Sequence, residues 1–124
     1  MMKVLLVEDN ELNSDMLARR LTRHGYDVVV AADGDAAVAE ASRFLPDIIL
    51  MDISLPVRDG LEVTRELKSI PATRDIPVIA LTAHVFVEDR ERALAVGCVG
   101  FQTKPIDFPQ LLDALRPYQQ EQPA

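Results

Sequence analysis

Ile48-Ile49-Leu50-Met51, closed by Asp52, is the stretch that decides the fold. Four apolar residues in a row, without alternation, describe a strand covered on both faces, as in a parallel sheet. A strand with one wet face would alternate with period two. On either side, runs of the same kind recur at Val4–Val7, Val28–Ala31 and Val78–Leu81, with a weaker one at Val99–Phe101. Between them the apolar residues change to helical spacing. Leu12, Met16, Leu17 and Leu21 share one face, and Ala37, Val38, Ala41, Phe44 and Leu45 another. Val63, Leu67 and Ile70 form a third stripe, and Phe108, Leu111, Leu112 and Leu115 a fourth. Asp59 stands three residues before Glu62 and Asp107 three before Gln110, the spacing of a capping box. Pro109 suits a first helical turn, where N–H groups lack helical partners, and Asn10 is placed to cap the first helix. The stretch Val85–Val96 is the weak member: its centre, Glu88-Asp89-Arg90-Glu91-Arg92, is wholly charged, which predicts a loosely held helix.

Strands alternating with helices predict an α/β fold: a doubly wound, five-stranded parallel sheet with helices on both faces. The order 2-1-3-4-5, the flavodoxin-like arrangement, suits a chain without a Gly-rich dinucleotide fingerprint. Gly25 and Gly34 read as turn glycines.

A length of 124 residues fits one domain, expected over 1–119 with a short tail at 120–124. The apolar content of 48% is ordinary for a globular protein, and no apolar run nears the ~20 residues that span a bilayer. The start, Met1-Met2-Lys3, lacks a signal-peptide pattern, so a cytoplasmic location is expected. A formal charge of −7 argues against nucleic acid and anionic membranes, both of which need clustered Lys and Arg. Other proteins and small ions remain as partners. Cys98 stands alone, which excludes an internal disulfide and reads as an inert, partly buried thiol.

In an open parallel sheet, ligands bind outside the carboxyl ends of the strands. The first strand ends in Glu8-Asp9, the third in Asp52 and the fourth in Thr82, and the fifth leads into Lys104-Pro105. Each has a plain reading alone: a helix cap, a turn, a strand-end β-former, a solvated charge. Together they say more. Two carboxylates ~4 Å apart repel by ~4 kcal/mol at an effective dielectric of ~20, so gathering three calls for a cation among them or for retained protons. Oxygen-only ligands with room for water suit Mg²⁺ better than Ca²⁺ or Zn²⁺. A cation, a lysine, a hydroxyl and a free carboxylate are the parts that hold a phosphoryl group.

Val7-Glu8-Asp9-Asn10, Asp52-Ile53-Ser54-Leu55-Pro56-Val57-Arg58-Asp59-Gly60, Leu81-Thr82-Ala83 and Lys104-Pro105 resemble the signature blocks of response-regulator receiver domains, in order and spacing over essentially the whole chain. That family shares the 2-1-3-4-5 order, so the strand order follows from the resemblance as much as from the spacing. The resemblance implies that Asp52 is the phosphoacceptor. It implies that Asp9, Asp52 and the Ser54 backbone carbonyl bind Mg²⁺, with Glu8 acting through water. Thr82 and Lys104 would contact phosphoryl oxygens, Ala83 would leave room for them, and the Lys104–Pro105 bond would be cis. Phe101 occupies the place of the switch aromatic, and Ser54 and His84 are candidates for setting the phosphate's lifetime.

The function so implied is a single-domain response regulator of a two-component or phosphorelay system. It would be fed by a histidine kinase or histidine phosphotransfer protein and read by a downstream protein. It would catalyse its own phosphorylation and slow dephosphorylation, without being a turnover enzyme. Stand-alone cell-cycle receivers and hybrid-kinase receivers are the nearest types, and the Met start and the end shortly after Tyr118 favour the former. The competing function is a Mg²⁺-dependent aspartyl-phosphate phosphohydrolase. Such enzymes usually place a second acid near the nucleophile, where this chain has Ser54, and carry a cap, for which no insertion exists. Three departures stand out: Glu8 where Asp is common, Phe101 without a tyrosine's hydroxyl, and Arg58 where an apolar residue is common. Arg58 is expected to tune the partner surface.

Overall fold

The computed structural model describes residues 2–83 and 87–119. His84 and the tail at 120–124 lie outside the described residues. Five strands alternate with five helices: β1 Lys3–Val7, α1 Glu11–Arg23, β2 Asp27–Ala31, α2 Gly34–Phe44, β3 Ile48–Asp52, α3 Gly60–Ser69, β4 Val78–Thr82, α4 Val87–Ala95, β5 Gly100–Thr103 and α5 Phe108–Leu115, followed by a 3₁₀ turn at Arg116–Tyr118. The sheet runs β2-β1-β3-β4-β5 with every pairing parallel, as expected.

Successive strand residues point to opposite faces, and both faces are sealed. Leu5, Val7, Ile49, Met51, Val78 and Ala80 pack against Ala37 and Ala41 of α2, Val63 and Leu67 of α3, and Ala93 of α4. Val4, Leu6, Ile48, Leu50, Ile79 and Leu81 pack against Leu21 of α1 and Phe108, Leu111 and Leu115 of α5. Each fully buried Leu or Ile contributes about 1.5–3 kcal/mol, which is why the three inner strands carry unbroken apolar runs. Helix starts follow the capping rule: Asn10 accepts from the Asn13 N–H at 3.0 Å, Asp59 from Glu62 at 2.9 Å and Asp107 from Gln110 at 3.1 Å.

Four expectations need correcting. Leu12 and Met16 are 69% and 56% exposed, and Ser14 is buried in their stead, so the core-facing stripe of α1 is narrower than its apolar spacing. Leu45 is the C-cap of α2, in the left-handed region at φ 49° and half exposed, rather than a core member. Gly34 opens α2 instead of making a turn. A Cβ there would lie 2.6 Å from Val63 Cγ2, so close helix packing, not backbone freedom, requires the glycine. Gly25 does hold a turn, at φ 90°. The last strand begins at Gly100, with Val99 left half exposed, and every residue of β5 is only partly buried. An edge strand needs less apolar cover, hence the weak signal.

Candidate functional site

The sheet's own hydrogen bonding gathers the site. Glu8 continues the ladder past β1, its N–H donating to the Ala31 carbonyl at 3.0 Å. Ile53 does the same past β3, donating to Leu81 at 3.1 Å, and Lys104 past β5, donating to Thr82 at 2.7 Å. The residues just beyond the strands are thus held on one rim, and carboxylate oxygens of Glu8, Asp9 and Asp52 lie within 4.8 Å of one another. Asp9 is exposed, while Glu8 and Asp52 are 4% and 2% accessible.

Lys104 crosses between the two buried acids. Its Nζ donates to Glu8 Oε2 at 3.0 Å and Oε1 at 3.2 Å, and to Asp52 Oδ2 at 3.1 Å. The other Asp52 oxygen, Oδ1, accepts from the Ser54 N–H at 2.9 Å. Asn13, in the first turn of α1, donates from Nδ2 to Glu8 Oε1 at 3.3 Å. Thr82 is buried at the end of β4, and the Lys104–Pro105 peptide is cis as the resemblance implied. Phe101, on β5, is half-buried beneath Arg90 of α4, whose guanidinium carbon sits 4.4 Å from the ring centroid, a cation–π contact.

The charges adjust to this crowding. Burial, then the neighbouring Asp52 carboxyl, pushes Glu8 up to about 7 against the pull of Lys104. Burial would raise Asp52 too, but hydrogen bonds from Glu8, the Ser54 N–H and Lys104 hold it below the usual carboxylate range. Burial alone would lower Lys104, yet its two carboxylate partners keep it above a free lysine. These surroundings favour a proton on Glu8 over one on Asp52. Three ionised acids against one lysine would leave two negative charges in a largely desolvated rim. A hard divalent cation with oxygen ligands fits that donor set, and Mg²⁺ fits it best.

Two neighbours of the site were not given roles from the sequence. Asn13 carries no motif that marks it, yet from the first turn of α1 it reaches Glu8 at the strand ends. Gly60 lets the loop 53–59 fold back over β3. A Cβ at Gly60 would stand 2.3 Å from the Asp52 carbonyl oxygen and 2.7 Å from Ile53 Cα, and the Gly60 N–H donates to the Ile53 carbonyl at 3.2 Å. Arg58, expected to tune the partner surface, lies along the domain's own surface: it bonds Asp35 at 2.9 Å and also Glu66, its side chain 24% exposed and that of Asp35 89%. Two acids within reach of one guanidinium outcompete solvent.

A doubly wound α/β domain with acids and a lysine at its strand ends is the class this geometry defines. The chain belongs to the response regulator receiver domain family, whose model matches residues 4–116. It is 41% identical to the polar-differentiation response regulator DivK of Brucella anthropi over 115 residues, 93% of this chain and 94% of that one. It is 45% identical to the response regulator PleD of Caulobacter vibrioides over 92% of this chain but only 25% of PleD, so it spans a quarter of that protein's length. Among solved structures, the receiver domain of sensor histidine kinase PA1611 from Pseudomonas aeruginosa superposes with TM-score 0.86 at 40% identity, covering 94% of this chain and 96% of that one. That structure has a magnesium ion coordinated in its active site cleft. Vibrio cholerae chemotaxis protein CheY4 gives TM-score 0.91 at 32% identity, covering 96% and 99%. The protein is therefore a receiver domain of two-component signal transduction. Among the described residues no helix is long and apolar enough to cross a membrane.

Proposed function

We propose that this domain accepts a phosphoryl group on Asp52 from a partner's phosphohistidine and that the acyl phosphate switches which protein it binds. The carrying observation is the state of Asp52: buried, held ionised, one oxygen on the Ser54 N–H and the other on Lys104. A carboxylate already ionised needs no general base to attack phosphorus. Its oxygen forms the new O–P bond as the P–N bond breaks; the electron pair stays with the imidazole, which takes a proton from water. Lys104 can pass from the Asp52 carboxylate to the incoming phosphoryl oxygens, and Thr82, at the neighbouring strand end, can donate its hydroxyl to them. Mg²⁺, when bound by Asp9, Asp52 and the Ser54 carbonyl with Glu8 acting through water, would neutralise charge developing on those oxygens. Drawing Thr82 inward opens space for Phe101 to turn, which repacks α4, β5 and α5. Ser54, two residues after Asp52, and His84, two residues after Thr82, would set how long the phosphate persists.

A protein donor suits the surroundings. Leu12 and Met16 are large apolar side chains open to solvent on α1. Beside Met16 a cleft of about 520 Å³, bordered also by Leu17, Arg20, Pro105 and Ile106, leads to Glu8 and Lys104. The test supplies Mg²⁺ and a small phosphodonor and weighs the intact protein. One phosphoryl group per chain, absent from Asp52→Asn, is the expected result. An unchanged mass, or equal labelling of the variant, overturns the reading. Sustained turnover of a phosphomonoester would instead favour a hydrolase.

A further inference from the structure

We infer that Arg58 is a positioning residue: by bridging Asp35 on α2 and Glu66 on α3 it holds the loop 53–59 so that the Ser54 carbonyl stays where a divalent ion needs it. This rests on the metal site proposed above and names the device that shapes it.

The loop is cinched at its base, where Ile53 donates to Leu81 and accepts from Gly60. Its tip is strained. Val57 sits at φ 68°, in the left-handed region that β-branched residues avoid, and the Arg58 N–H donates to the Pro56 carbonyl at 2.7 Å to close a three-residue turn around it. Val57 is fully exposed, so its own side chain does nothing to hold that turn. Strain of this kind persists only where the surroundings over-determine it. The anchors therefore lie on either side. Leu55 is buried before the turn, and Arg58 is tied after it.

The tie has two parts. The Arg58 stem lies against α2, for a Cβ on Gly34 would be 3.5 Å from Arg58 Cβ and 3.9 Å from Cδ. The head divides: Nη1 donates to Asp35 Oδ1 at 2.9 Å and Nη2 to Glu66 Oε1. Two acids on two helices, met by two nitrogens of one planar group, is a geometry that lysine's single ammonium cannot copy. Four residues upstream, the Ser54 N–H is already committed to Asp52 Oδ1. With both flanks pinned, the peptide between Ser54 and Leu55 has little room to rotate. Exposed ion pairs add little to global stability, so this clamp acts on the loop far more than on the fold.

The test titrates Mg²⁺ into ¹⁵N-labelled protein, following amide shifts around Asp9 and Ser54, with thermal midpoints measured alongside. Arg58→Met keeps the stem and removes the head. It is expected to weaken Mg²⁺ about three- to ten-fold, below the loss usual for a direct outer-shell partner, while melting close to the wild type. The double variant Asp35→Asn/Glu66→Gln should match it with Arg58 intact, and it carries the test should Arg58→Met not fold. Arg58→Lys should fall between, and Arg19→Ala, which removes an ion pair on the outer face of α1, should change nothing. Unaltered Mg²⁺ affinity in Arg58→Met and in the double variant overturns the positioning role alone. Failure of the wild type to bind Mg²⁺ overturns it together with the metal site.

Discussion

A single methyl group separates two of this chain's glycines. A Cβ added at Gly100 meets nothing within 4 Å, whereas one at Gly60 would meet the Asp52 carbonyl oxygen at 2.3 Å and Ile53 Cα at 2.7 Å. Both of those atoms are backbone and cannot swing away. Gly60→Ala must push the loop off β3, at a cost of about 1–3 kcal/mol or more. Its thermal midpoint should fall by roughly 5–15 °C, with Mg²⁺ binding weakened, while Gly100→Ala melts near the wild type. Glu8 poses a different residue-scale problem, because burial and Asp52 hold its proton up to about 7 against a free value of 4.5. Between those values the folded chain keeps a proton that the unfolded chain releases. Without metal, raising the pH through that window therefore lowers stability, the loss being complete above about 7. Metal binding reverses the preference, since a carboxylate must shed its proton to assist the ion. Mg²⁺ affinity should rise from pH 6 to pH 8, and Glu8→Gln should flatten that rise; a flat wild-type profile would refute the assignment of Glu8.

Elements differ in how plainly their residues announce them. β3 and β4 are sealed on both faces, so burial demands the unbroken apolar runs that made them readable. β5 lies at an edge and α4 is mostly charged, and neither needs a strong apolar pattern to stay in place. The rim was legible for a related reason: once a sheet is parallel, whatever follows each strand must meet at one end. Asn13 and Gly60 were not, because their part depends on how a helix turn and a loop lie against that rim. The pairing of Arg58 was hidden likewise, since its partners Asp35 and Glu66 come from two other elements. For α1, the exposed Leu12 and Met16 are the informative error: apolar spacing without burial marks a face kept for something else. Leu12→Asp/Met16→Asp should alter stability by only about ±0.5 kcal/mol, as surface changes do. The same pair should abolish transfer from a histidine-phosphorylated partner protein, yet leave labelling by a small phosphodonor intact. Loss of both reactions would place the fault in the site rather than in docking.

At the scale of the molecule, the acidic rim is a local burden that the two sealed core layers support. Glu8 and Asp52 are all but inaccessible, and among the described residues Lys104 is the cation bonded to both. A net charge of −7 adds general self-repulsion to this local one. An ion that binds only the folded state stabilises it by mass action, about 2.7 kcal/mol at a hundred times its dissociation constant. For a domain of this size that amounts to roughly 10 °C in the thermal midpoint. Saturating Mg²⁺ should accordingly raise the midpoint by that order, and a chelator should return it. The same concentration of NaCl should do far less, because screening acts weakly on buried charges. Asp9→Asn separates the two effects, since Asp9 is exposed and its loss would remove a proposed ligand without opening a cavity. That variant should melt near the metal-free wild type and gain little from Mg²⁺. If Mg²⁺ raised the midpoint of Asp9→Asn as far as that of the wild type, the stabilisation would come from general screening, and the three acids would not form a metal centre.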